Sequence, residues 1–200
     1  MNILGTSLHE LKFLLIWVMT NTLIFWIGWV TGGNDLGLGT FKRLPHNIYY
    51  GFAIGLAQCF VMSLVPILDK SGPRQWTQWL WPVMTSLGFV IGVAAVYPFI
   101  GLVTWSHSVL LGFIFGTLIG GCVTLAQALV LFGQGLKTLN WWYFGSMGGW
   151  LSGEIMDGAL GYAGIVIPLT GTVIGLGSAI GLLGSTRAHY SALRKRAINV

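Results

Sequence analysis

The run from Gly112 to Phe132, GFIFGTLIGGCVTLAQALVLF, holds twenty-one residues without a charge. At about 1.5 Å of rise each, it matches a hydrocarbon core roughly 30 Å thick, so as a helix it spans a bilayer. Such a segment leaves few folds open: its backbone polar groups must be satisfied internally, and its neighbours must pack on it without the hydrophobic drive that water supplies. Gly112, Gly116 and Gly120 recur every four residues, a stripe of small residues along which two helix backbones approach closely. Gln127 adds an amide to the same helix.

Segments of the same character recur along the chain. Residues 12–30, 48–68, 80–102, 112–132, 141–162 and 165–185 read as six spans of a single integral membrane domain, and 186–200 as a basic tail. Only 8% of residues are charged, against about a quarter in a soluble domain, so water is not the main solvent. The thirty glycines then read as helix-packing residues rather than linkers. Cys59 and Cys122 fall inside spans and read as core residues. The N-terminal segment does not read as a cleaved signal: Glu10 precedes an over-long apolar run with no A-x-A site after it. Trp76, Trp79 and Trp81 read as a headgroup-level shelf, with Pro82 in the first turn of the third span and Pro98 near its end.

Six spans put both termini on one side. That side receives Lys12, Lys70, Arg74, Lys137, Arg187, Arg194, Lys195 and Arg196, and the other only Lys42 and Arg43, so both ends are expected to be cytoplasmic. The net charge of +5 is thus assigned to topology and anionic lipid, not to nucleic acid.

Two patterns recur in register. Gly51-x3-Gly55-x2-Gln58 aligns with Gly120-x3-Thr124-x2-Gln127 and with Gly171-x3-Gly175-x2-Ser178. In the odd spans, Trp17-x4-Thr22 aligns with Trp81-x4-Ser86-x-Gly88 and Trp141-x4-Ser146-x-Gly148. At about 100° per residue each even-span set occupies a stripe roughly 60° wide, a small face tipped by a polar group. The expected architecture is all-α: three tandem helical hairpins about a pseudo-threefold axis, with the second, fourth and sixth spans innermost. The sixth carries a second stripe, Gly177, Gly181 and Gly184, and should sit between two neighbours.

These motifs, with the Val61-Met62-Ser63 and Val130-Leu131 elements that follow the glutamines, resemble a group of multi-pass membrane proteins found mainly in cyanobacteria. The resemblance covers Ile48 to the tail and implies a fold and a bacterial or thylakoid-type membrane, but no activity. Basic residues often follow the VL element in that group. Here Leu64-Val65-Pro66 and Phe132-Gly133-Gln134 stand there instead.

Reagents for catalysis are scarce. His9, His46, His107 and His189 lie at span ends or outside, and no two are spaced as haem or metal ligands on one helix. No phosphate loop, GxSxG, HExxH or CxxC occurs. What remains is a polar set inside the membrane: Asn21, Gln58, Gln127, Glu154 and Asp157. The amides either join helices or line a solute path. Glu154, thirteen residues after Trp141, is expected about 20 Å into the core, on the face opposite Gly145, Gly149 and Gly153. There it is expected to line an outward-opening recess with Asp157, hydrogen-bonded to a neighbouring span; a shifted span would instead leave both acids interfacial.

The helix-packing residues expected to matter most are Gly51, Gly55, Gly116, Gly120, Gly171 and Gly175. Three non-enzymatic roles follow from this inventory: an accessory or scaffold subunit that meets lipid and other subunits of a membrane complex, a small-solute or ion transporter or substrate-binding membrane component, and a pigment- or quinone-binding antenna-type subunit. The sequence names no cofactor.

Overall fold

The computed structural model describes residues 7–32, 44–64, 76–100, 108–133, 136, 139–160 and 166–198. Among them the chain forms six α-helices and no strand: α1 (Leu8–Gly32), α2 (Leu44–Leu64), α3 (Trp76–Ile100), α4 (Ser108–Gly133), α5 (Asn140–Ala159) and α6 (Val166–Ile198). Five of the six are long and apolar enough to cross a membrane, as in a multi-pass membrane protein. The exception is α5, where Glu154, Asp157 and a run of Gly and Ser dilute the hydropathy. Six apolar spans were expected; on composition there are five.

Local chemistry sets several boundaries. Ser7 and Glu10 form a capping box that starts α1 four residues before the expected span. The Glu10 amide donates to Ser7 Oγ at 3.2 Å and the Ser7 amide to Glu10 Oε2 at 2.8 Å. α5 begins without a side-chain cap of its own. One of its orphan N–H groups, that of Trp142, instead donates to Ser185 Oγ on α6 at 2.9 Å, so the start of α5 is completed by its neighbour. Pro82 lies in the second turn of α3 rather than the first, because that helix starts at Trp76. The expected basic tail is not separate: α6 continues to Ile198, 33 residues or about 50 Å in all.

The helices close into a ring. Each packs on its two neighbours in sequence, and α6 packs on α1. The expectation that the second, fourth and sixth spans are innermost is therefore corrected: among the described residues no two of α2, α4 and α6 touch through their backbones. The reason lies in the glycines. Gly51 and Gly55 of α2 face Phe89, Pro82 and Thr85 of α3; Gly112, Gly116 and Gly120 of α4 face Trp150, Leu151 and Glu154 of α5; Gly171 and Gly175 of α6 face Phe25, Asn21 and Val18 of α1. Each stripe draws in the next helix around the ring, while tryptophans fill the axis. Gly51, Gly55, Gly116, Gly120, Gly171 and Gly175 are all buried. The second stripe of α6 faces α5, with Gly177 against Gly145 and Gly149, so α6 lies between α1 and α5 as its two stripes predict. It is the most buried of the five apolar helices, although Leu169, Leu176 and Ile180 still face outward.

The ring is apolar outside and mixed inside. Leu15, Met19 and Leu23 of α1, Val83, Leu87 and Ile91 of α3, and Leu125, Leu129 and Phe132 of α4 are exposed stripes suited to lipid. Inside, one apolar cluster surrounds Phe13, Trp17, Trp81, Leu131, Trp142 and Leu182, at the end where α1 starts and α6 finishes. A second surrounds Phe25, Ile54, Phe89, Phe115, Trp150 and Ile174 toward the far end. On every helix a buried polar residue separates the two: Asn21, Gln58, Thr85, Gln127, Ser146 and Ser178. The Trp shelf is split. Trp79 is exposed, but Trp81 is wholly buried in the first cluster.

Candidate functional site

The polar layer is a connected belt. Gln58 Oε1 accepts from Trp81 Nε1 at 3.0 Å and from Gln127 Nε2 at 2.9 Å, and Gln58 Nε2 donates to Asn21 Oδ1 at 2.9 Å. Gln127 Nε2 also donates to Thr85 Oγ1 at 2.8 Å. Asn21 Nδ2 returns to the backbone at Trp17 O, 2.8 Å away. The belt therefore ties α1, α2, α3 and α4 across the axis, and Thr124 with Ser146 adds a link from α4 to α5 at 2.9 Å. Three indoles serve it alike. Trp17 donates to Ser178 Oγ, Trp81 to Gln58 Oε1 and Trp142 to Thr124 O, in each case on the helix before it in the ring.

This registers the odd helices differently from the sequence pattern. Trp142, not Trp141, is the buried indole: it is 0% exposed, whereas Trp141 is 46% exposed. Thr85 rather than Ser86 lies in the belt, and Ser86 instead donates to Ile48 O at 2.9 Å. Two adjacent tryptophans and two adjacent hydroxyl residues offered no local signal for choosing between them.

Above the belt, four aromatic rings from four helices close a cycle. Phe25 lies 5.8 Å from Tyr50 and 5.7 Å from Trp150, and Phe89 lies 5.4 Å from Tyr50 and 6.5 Å from Trp150, between ring centroids. Most meet tilted or edge to face, which their quadrupoles favour. Tyr50 seats its ring against Gly28 of α1, where a Cβ would collide with it. The sequence reading missed Tyr50, because an aromatic near the start of a span reads as interfacial.

Glu154 and Asp157 lie about one and two turns beyond Trp150 on the same face of α5, at the far end of the ring. Glu154 is 9% exposed and Asp157 2%, so both are enclosed by the neighbouring helices. Glu154 packs against α4, where Gly112 and Gly116 admit its backbone and Cβ, while the Gly145, Gly149 and Gly153 stripe faces α6 on the opposite side, as expected. The expected hydrogen bond to a neighbouring span does not occur among the described residues. Asp157 Oδ1 is buried with no hydrogen-bond partner among them either.

The expected four-residue polar set thus separates into two places. Gln58 and Gln127 bond to each other in a satisfied belt; Glu154 and Asp157 stand apart beyond the aromatic cycle. The described basic side chains offer no counter-charge: Lys12, Arg187, Arg194 and Lys195 are exposed at the opposite end, where Arg187 binds Glu10 through two 2.7 Å hydrogen bonds. Lys42, Arg43, Lys70, Arg74, Lys137 and His107, and the His46 side chain, lie outside the described residues. Cys59 and Cys122 are half-buried. Among the described residues no three His, Cys, Asp or Glu side chains gather as a metal site.

Comparison with protein-family models, curated proteins and solved structures finds no match to this chain.

Proposed function

We propose that this protein is a membrane component that binds a small solute inside its helical ring, at the far end, through Glu154 and Asp157. The observation that carries this reading is Asp157 Oδ1, a carboxylate oxygen buried within an apolar assembly and left without a donor. An unpaired buried polar group costs on the order of 1–3 kcal/mol, and an unpaired charge costs more. Ionisable groups inside membrane segments are rare and mark functional positions by default. The belt below offers a solute less, because its amides and indoles bond to one another. The role is binding rather than catalysis. α5 crosses the bilayer with the other five helices, shielded by α4 and α6 along its polar face. With both termini cytoplasmic, the acids open toward the outer face. The three equivalent indole bonds support a chain built as three hairpins.

A second reading, an accessory subunit of a larger membrane complex, draws on the aromatic exterior. Trp26, Trp79, Trp141 and Phe144 are all exposed and suit either lipid or a protein neighbour. Purification in mild detergent followed by native mass spectrometry separates the two. A stoichiometric small molecule, released from Asp157→Asn, supports solute binding. A stoichiometric protein partner with no small molecule, unaffected by that change, supports the accessory role.

A further inference from the structure

The chemistry around the unpartnered oxygen narrows the solute. Resting on the binding role above, we infer that the Glu154 and Asp157 pair takes an organic ammonium ion, with the carboxylates as counter-charge and Tyr50 and Trp150 as its aromatic floor. Three observations converge on this. The orphan Asp157 Oδ1 calls for a donor or a positive charge, and no described Lys or Arg stands at this end of the ring. Trp150 precedes Glu154 by four residues on α5, so its ring and that carboxyl share one face a turn apart. The ring of Tyr50 comes from α2 and joins Trp150 in one aromatic cycle through Phe25 and Phe89.

Metal ions fit this arrangement less well. A calcium ion takes six to eight oxygen ligands, and magnesium a full octahedron. Two carboxyl groups fall short of that, and among the described residues no third acid, His or Cys joins them. An ammonium group needs fewer partners. It can donate to both carboxylates while its remaining surface rests on aromatic rings, whose negative faces attract cations, most strongly when desolvated. Sodium gains less from such a floor than a methylated ammonium does, because it must first give up strongly held water. The cycle of Phe25, Tyr50, Phe89 and Trp150 also stands between the two acids and the belt, which puts the ligand's route at the far end.

The test uses the full chain in lipid discs and reads the thermal unfolding midpoint. Methylammonium and tetramethylammonium chloride are titrated against sodium chloride at equal ionic strength. The expected result is a saturable rise with either organic cation and none with sodium. That rise should vanish in Asp157→Asn, weaken in Glu154→Gln and Tyr50→Leu, and persist in Glu10→Gln, whose acid lies at the other end. Asp157→Asn keeps the side-chain volume and removes the unpaired charge, so it should fold at least as well as the parent chain. Soluble and lipid-borne ammonium groups are distinguished by adding the probes to discs of phosphatidylglycerol alone, and by substituting phosphatidylethanolamine without them. No cation-specific rise under either lipid, or a rise that survives Asp157→Asn, overturns the inference. An Asp157-dependent rise with a neutral or anionic solute overturns the ammonium assignment and leaves the binding role standing. A protein partner and no response to any solute removes both.

Discussion

Gln127 on α4 donates its side-chain amide to Gln58 Oε1 on α2 across 2.9 Å, although the backbones of these helices do not touch. The bond bridges the ring axis, and Trp81 Nε1 fills the second lone pair of the same oxygen at 3.0 Å. Gln127→Leu removes donors to both Gln58 and Thr85 and is expected to destabilise the fold by about 1–2 kcal/mol, within the range of buried interhelical hydrogen bonds. Gln127→Glu should cost more, since it turns an acceptor toward Gln58 Oε1. Unfolding in mixed micelles measures both changes, and equal stability of Gln127→Glu and the parent chain would remove the belt from the energetics.

Gly145 and Gly177 meet where α5 and α6 are closest. A Cβ on Gly177 would stand 2.5 Å from Gly145 O and 2.6 Å from Gly149 Cα, and one on Gly145 would stand 2.5 Å from Gly177 O. These are backbone atoms, so the helices must separate to admit it. Gly177→Ala is expected to cost about 1–3 kcal/mol, as overpacking does. Gly148→Ala has nothing within 4 Å and should be neutral or slightly stabilising through helix propensity. Equal effects of the two substitutions would rule out close packing at this seam.

Trp141 and Trp142 are neighbours with opposite roles. Trp142 donates to Thr124 O at 3.1 Å and stands edge to face with Trp81, 5.7 Å between centroids, while Trp141 is exposed. Trp142→Phe should lower stability by about 1–2 kcal/mol, through the lost hydrogen bond and part of the aromatic contact. Trp141→Phe should change it little. Brominated lipid should quench Trp141 more than Trp142, as read in chains that retain only one of the pair.

Glu10 serves α1 twice, as its capping-box acid and as the bidentate partner of Arg187. Loss of Arg187 removes only the ion pair. Arg187→Gln is therefore expected to cost about 0.2–1 kcal/mol, less at high salt. Glu10→Ala should cost more, because the cap is lost as well. Unfolding midpoints at low and high salt check the order: the salt-sensitive part should be common to both variants, and the remainder specific to Glu10→Ala.

Hydropathy and helical period, both local properties, made much of this protein legible from its residues alone. They specified an all-α membrane fold, the inward direction of Gln58 and Gln127 and the two packing faces of α6. They located the helix ends less well: the capping box at Ser7 and the continuation to Ile198 depend on contacts that hydropathy does not register. Ring closure was beyond them, because it brings Trp17 to Ser178 across 161 residues of sequence. Only that closure decides which of two adjacent tryptophans turns inward, and it turns Trp142. It also collects Phe25, Tyr50, Phe89 and Trp150 from four helices into one cycle and leaves Asp157 beyond them without a donor. Each helix carries its own stripe in its sequence, but the meeting of side chains at the axis depends on how all six stripes are satisfied at once.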